Sequence, residues 1–135
     1  TRTRQIATSS RKKAMPETVA VLGASPKPER YSHQAIQLLR QYGHTVIPVN
    51  PAQAEIAGLP VAASVTDIRQ PVDTVTLYVS PAHQDSLEQQ LKTLKPRRVI
   101  FNPGTENPSL AARLRDAGME TEEACTLVLL RTRQF

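Results

Sequence analysis

The chain has 135 residues, the size of one layered domain, and a net charge of +5 that is unevenly placed. Five of its seventeen basic residues, Arg2, Arg4, Arg11, Lys12 and Lys13, fall in the first fourteen positions, which hold no acid; from Met15 onward twelve bases meet twelve acids. The basic balance therefore belongs to a tail, and the body lacks the cationic surface that nucleic-acid binding needs.

No apolar run approaches the roughly 18 residues of a membrane span, and no charged-then-apolar secretory leader is present, so a cytoplasmic protein is expected. The single cysteine, Cys125, excludes an internal disulfide and a cysteine-based zinc cluster. Residues 1–17 are expected to form a disordered basic tail, and residues 18–135 one domain.

In chain order, Val19 to Leu22 reads as a buried strand that runs into Gly23. A loop carrying Lys27 and Arg30 follows. Ser32 is the expected N-cap of a helix whose apolar face holds Ala35, Ile36, Leu39 and Tyr42, and Gly43 is its stop. Thr45 to Val49 is a second strand. Ala52 to Ala62 is a loop with a brief extended piece at Leu59 to Val61, and Ser64 to Asp67 has the spacing of a capping box on a short turn.

Asp73 to Val79 is the third major strand. Ser80 and Pro81 then supply an N-cap and a first-turn proline for a helix bearing Leu87, Leu91 and Leu94 on one side. Arg98 to Phe101 is the next strand, and Asn107-Pro108 opens a helix with Leu110, Ala111 and Leu114 inward and Gly118 as its stop. Met119 to Thr121 reads as an edge strand. Ala124 to Arg131 fits a buried strand or a short helix, with helix preferred.

Strands separated by helices of this length imply an α/β, three-layer Rossmann-like fold: a mostly parallel sheet of about five strands with helices on both faces. Ligands of such sheets bind beyond the carboxyl ends of the strands. Those ends are Gly23-Ala24-Ser25, Asn50-Pro51, Val79-Ser80-Pro81 and Asn102-Pro103-Gly104. The first of them, followed by Lys27, Arg30 and a helix start, is the pattern of a phosphate site, because a helix N-terminus offers unpaired N–H groups and a positive dipole end.

A dinucleotide fingerprint needs three glycines spaced G-x-G-x-x-G and an acid after the second strand. Here only Gly23 is present; Ser25 and Pro28 hold the other two places, and Asn50 stands where the acid belongs. NAD is disfavoured, and no Walker A loop occurs anywhere in the sequence.

The segments Val21-Leu-Gly-Ala-Ser-Pro-Lys-Pro-Glu-Arg30 with Ser32, Tyr42-Gly-His-Thr-Val-Ile-Pro-Val-Asn-Pro51, and Asn107 to Gly118, together with Cys125, resemble the small stand-alone CoA-binding proteins. That family is similar to the N-terminal domain of the succinyl-CoA ligase α subunit. The resemblance implies that Gly23, Ala24, Ser25, Lys27 and Arg30 contact CoA phosphates and that Ser32 starts the helix beneath them. It further implies that Asn50 and Pro51 border the adenosine, and that Val79, Ser80 and Asn102 line the rest of the groove. The 3′-phosphate and pyrophosphate of CoA suit a pair of cations better than a carboxylate. The chain departs from the family at Val79-Ser80-Pro81 and at Asn102-Pro103-Gly104.

His33, His44 and His83 have no carboxylate or nucleophile partner at motif spacing and read as surface or capping residues; Asp85 and Glu88 read as solvated. Ser25 is not in a G-x-S-x-G elbow and reads as a phosphate donor. The expectation is a CoA or acyl-CoA binding module, non-catalytic by itself. The alternative is an NADP- or NAD-dependent enzyme or redox sensor using the same groove, and a structural subunit with a vestigial groove stays open. Cys125, near a helix start, is either a packed apolar residue or a thiol open to a mixed disulfide with CoA. A homodimer and a partner enzyme both stay open.

Overall fold

The structure is a computed structural model that describes residues 15–135. The basic segment of the first fourteen positions lies outside the described residues. Five strands, β1 (Thr18–Leu22), β2 (Thr45–Val49), β5 (Thr74–Leu77), β6 (Arg98–Phe101) and β7 (Glu120–Glu123), form one sheet in the order β2-β1-β5-β6-β7. Every pairing in it is parallel, so all five carboxyl ends lie along one rim.

The faces follow from side-chain alternation. Ala20 and Leu22 of β1, Val75 and Leu77 of β5, and Val99 and Phe101 of β6 point to one side. There they pack against Leu87 and Leu91 of α2 (Leu87–Leu94) and Leu110 and Leu114 of α3 (Pro108–Asp116). Val19 and Val21 point to the other side, against Ile36 and Leu39 of α1 (Tyr31–Gln41) and Leu130 of α4 (Thr126–Arg131). The three-layer Rossmann-like expectation therefore holds. The chain steps from β1 to β2 in one direction and from β5 to β7 in the other, so the strand order reverses between β1 and β5, where such folds open a crevice.

Three local expectations are corrected. The cap of α1 is Arg30, in extended backbone and without a side-chain bond; Ser32 lies inside the first turn and is buried. At Ser64 the turn Val65–Asp67 forms without the backbone bonds of a capping box, since the Ser64 hydroxyl meets the Thr66 hydroxyl at 2.6 Å and Asp67 Oδ2 at 3.4 Å. After Ser80 and Pro81 the chain makes only a 3-10 turn, Pro81–His83, and α2 begins later, at Leu87.

The interruption has a physical cause. The Gln84 side chain is buried, donates to the Val79 carbonyl at 2.8 Å and the Thr105 carbonyl at 2.9 Å, and accepts from Asn107 at 2.9 Å. These bonds pin the turn to the loop after β6, which a continuous helix would not allow.

The stretch expected to be a loop contains a hairpin, β3 (Glu55–Ile56) and β4 (Leu59–Pro60), that buries Ile56 on the α1 side. Beyond it Ala62 bridges Val49 in parallel. On the far margin β7 is the expected edge strand, set at Glu120–Glu123, one or two residues later than expected, and three of its four residues are acidic. The last segment is helical, as preferred, over Thr126–Arg131. Glu17, the last residue of the expected tail, is tied to the sheet: its carboxylate accepts from the Thr74 hydroxyl at 2.6 Å and pairs with Arg97 at 3.0 Å.

Candidate functional site

At the reversal point Gly23 leaves β1 with φ of +83°, and a Cβ there would lie 3.0 Å from the Tyr78 carbonyl carbon and oxygen. Only glycine fits both the conformation and the close approach of the two strand exits. The Gly23 and Ala24 amides both donate to the Val49 carbonyl at 3.2 Å, which ties the turn to the end of β2.

Asn50 tightens the same junction. Its amide donates to the Ala24 carbonyl at 2.7 Å, and its Oδ1 accepts from the Ala52 amide at 2.7 Å. Pro51 is exposed beside it.

Ser25 continues the turn, and its Oγ accepts from the Lys27 amide at 3.1 Å. Lys27 and Arg30 are exposed and form no ion pair among the described residues. The first turn of α1 has no acidic residue, and its Tyr31, Ser32 and His33 amides take no backbone partner among the described residues. Two free cations thus stand beside a helix end that presents unpaired N–H groups.

Across the reversal, Val79 is half-buried and reaches within 3.2 Å of the Cβ position of Gly23. Ser80 is exposed, with its hydroxyl 3.0 Å from His83 Nδ1. Asn102 lies beneath the rim rather than on it. It is buried; its amide donates to the Thr76 hydroxyl at 2.7 Å and the Leu77 carbonyl at 3.0 Å, and its Oδ1 accepts from the Thr126 amide at 2.8 Å. It fixes the start of α4 to the ends of β5 and β6, so any effect it has on a ligand passes through their positions.

Two residues near the rim were not among the expected site residues. His33 is buried, not a surface residue, and its Nδ1 donates to the Ser25 carbonyl at 2.9 Å. Its place three residues before the buried Ile36 was the available signal. Tyr78 packs on the α1 side, where burial pushes the pKa of its phenol up to about 12, and the nearby Thr76 and Thr126 hydroxyls are bonded to each other at 2.7 Å. The phenol oxygen has no hydrogen-bond partner within range among the described residues.

Cys125 is half-buried and immediately precedes α4. Glu88 is not simply solvated: it pairs with Lys92 at 2.8 Å and Arg113 at 2.6 Å, joining α2 to α3 and drawing its carboxyl below the usual range.

The opposite, amino-terminal edge has a different character. A cleft of about 450 Å³ there is lined by Glu17, Tyr42, His44 and Phe135 among others, and none of the expected site residues reaches it. Arg98, buried at this edge, stacks over Phe135 at 4.5 Å and lies 3.5 Å from Glu17. No described helix is long and apolar enough to cross a membrane, and no metal-binding group of three or more His, Cys, Asp or Glu occurs among the described residues.

Comparison with known proteins bears on the family and the fold of the chain. Uncharacterized protein YneT of Bacillus subtilis is 35% identical over 60 residues, 44% of each chain. Acetate–CoA ligase [ADP-forming] I of Archaeoglobus fulgidus is 39% identical over 64 residues, 47% of this chain and 9% of the ligase. The match thus spans less than half the length of either curated relative. A crystal structure of an uncharacterized protein superposes with a TM-score of 0.85 at 40% identity, covering 90% of this chain and 99% of the other. The family model described as CoA binding domain matches residues 17–131, nearly all of the described chain, and the protein therefore belongs to the CoA binding domain family.

Proposed function

We propose that the carboxyl-terminal rim binds coenzyme A or an acyl-CoA, and that the domain acts as a binding module rather than turning the ligand over by itself. The phosphates lie over Gly23 to Ser25 and the start of α1, held by Lys27 and Arg30. The adenosine lies beside Asn50 and Pro51, and the pantetheine runs toward Val79 and Ser80.

The observation that carries this reading is the pair of exposed cations, without ion-pair partners among the described residues, beside a helix whose first turn lacks acids, Glu29 being the one acid of the loop between them. Such a site matches a ligand with three phosphates. The second strand is followed by Asn50, already bonded to Ala24, where a dinucleotide site would place a carboxylate for the ribose hydroxyls. Family membership supports the same ligand.

A thermal-shift series with CoA, acetyl-CoA, NAD(H) and NADP(H) tests it, since a ligand that binds only the folded state raises the melting temperature. CoA and acetyl-CoA should stabilise, and the nicotinamide nucleotides should not. Arg30→Ala should weaken CoA affinity roughly tenfold while leaving the unliganded melting temperature unchanged. Stabilisation by NADPH but not CoA would reverse the assignment.

A further inference from the structure

The geometry points to His33 as a positioning residue that holds the phosphate turn in its binding conformation before the ligand arrives; this rests on the CoA reading of the rim.

The loop between β1 and α1 is short and stiff. Pro26 and Pro28 fix their own φ angles and restrict Ser25 and Lys27, the residues that precede them. Stiffness alone does not aim a loop. Two side chains from the first turn of α1 do so: His33 Nδ1 donates to the Ser25 carbonyl at 2.9 Å, and Gln34 Nε2 donates to the Glu29 carbonyl at 3.1 Å. One strap holds the loop where it leaves β1, and the other where it enters the helix.

His33 is the stronger of the two. The residue is 7% exposed, whereas Gln34 is half-buried. Gln37 Nε2 lies 3.5 Å from His33 Nε2, so the ring is addressed from both sides, with its Nδ1 proton directed at Ser25.

The consequence falls on the Ser25 hydroxyl. With its carbonyl held by His33 and its Oγ accepting from the Lys27 amide, Ser25 keeps its own O–H free to donate outward. That proton and Lys27, which follows two residues later, then face a phosphate together. A loop fixed this way loses little freedom on binding, which is where preorganisation gains affinity.

The test is calorimetric titration of the whole chain with CoA. His33→Phe fills the volume without the donor, and His33→Asn restores a donor near the Nδ1 position. His33→Ala serves as the donor-free variant should phenylalanine not be accommodated. The expected result is CoA affinity weakened roughly tenfold in the donor-free variant and within about threefold of wild type in His33→Asn. Combining the donor-free change with Ser25→Ala should weaken binding by less than the sum of the two single losses, because both disturb the placement of one hydroxyl. Equal losses in the asparagine and donor-free variants, additive losses in the double variant, or tight wild-type binding indifferent to loss of the donor would each overturn the assignment alone. A wild-type chain that takes up no CoA would overturn the ligand reading, and this assignment with it.

Discussion

Asn50 donates to the Ala24 carbonyl at 2.7 Å, fastening the end of β2 to the turn that follows β1. Replacing it by aspartate keeps an acceptor for the Ala52 amide but sets a carboxylate against a carbonyl. Asn50→Asp is expected to lose about 1–2 kcal/mol of stability in urea titration and to weaken CoA binding measured by calorimetry. An unchanged CoA affinity would show that the junction does not shape the site.

Gly23 makes a different demand. Alanine there would need a left-handed conformation and would press its methyl group on the Tyr78 carbonyl, which cannot retreat freely because the Tyr78 amide donates to Leu22 at 2.8 Å. Gly23→Ala should cost about 2–4 kcal/mol in denaturant unfolding.

Asn102 serves the fold from beneath the rim. Asn102→Ala removes the acceptor from the buried Thr126 amide and should cost about 2 kcal/mol. The loss should be visible as faster amide exchange at the start of α4.

His44 gives the amino-terminal edge a pH dependence. Its Nδ1 accepts from the Glu17 amide at 3.0 Å, and burial holds its pKa below the ordinary 6.5, with Glu17 opposing and Arg98 assisting. The unfolded chain therefore takes up the proton first as pH falls. The contribution to stability is full above pH 6.5, declines as pH drops below that value, and levels off beneath the lowered folded pKa. Unfolding measured across this range should show the decline in wild type and not in His44→Asn.

The parts of the fold legible in the sequence are those that local spacing dictates. Val19 to Leu22, Thr45 to Val49 and Arg98 to Phe101 are apolar or β-branched runs bounded by glycine, proline or asparagine, and the helix after Asn107 announces itself by a cap that does accept from the Leu110 amide at 3.2 Å. The hairpin at Glu55 to Pro60 was hidden because its two-residue turn places Ala57 at φ of +54° before Gly58 at +78°. Alanine gives no signal of the left-handed conformation that asparagine would give.

At the rim, the turn at Gly23 and the helix start after it were legible because glycine, small residues and prolines occur together there, and the structure places Gly23 at a positive φ just before that helix. The functions of Gln84 and Asn102 were not legible. Their partners lie up to twenty-six residues away, and a buried amide carries no periodic mark of the bonds that make burial tolerable. His33 was misread for the same reason: spacing showed a polar residue in a first turn, and only the folded loop brings the Ser25 carbonyl to it.

The two margins of the sheet bear on how copies of the domain meet. A second sheet approaching β7 would have to bring its backbone against Glu120, Glu122 and Glu123, and one approaching β2 would find Pro48, which has no N–H, and a strand end already covered by Ala62. Like charge on one side and a missing donor on the other are the means by which natural sheets avoid growing from one molecule into the next. Neither margin of the sheet thus offers an open template on which a strand of a second molecule could pair.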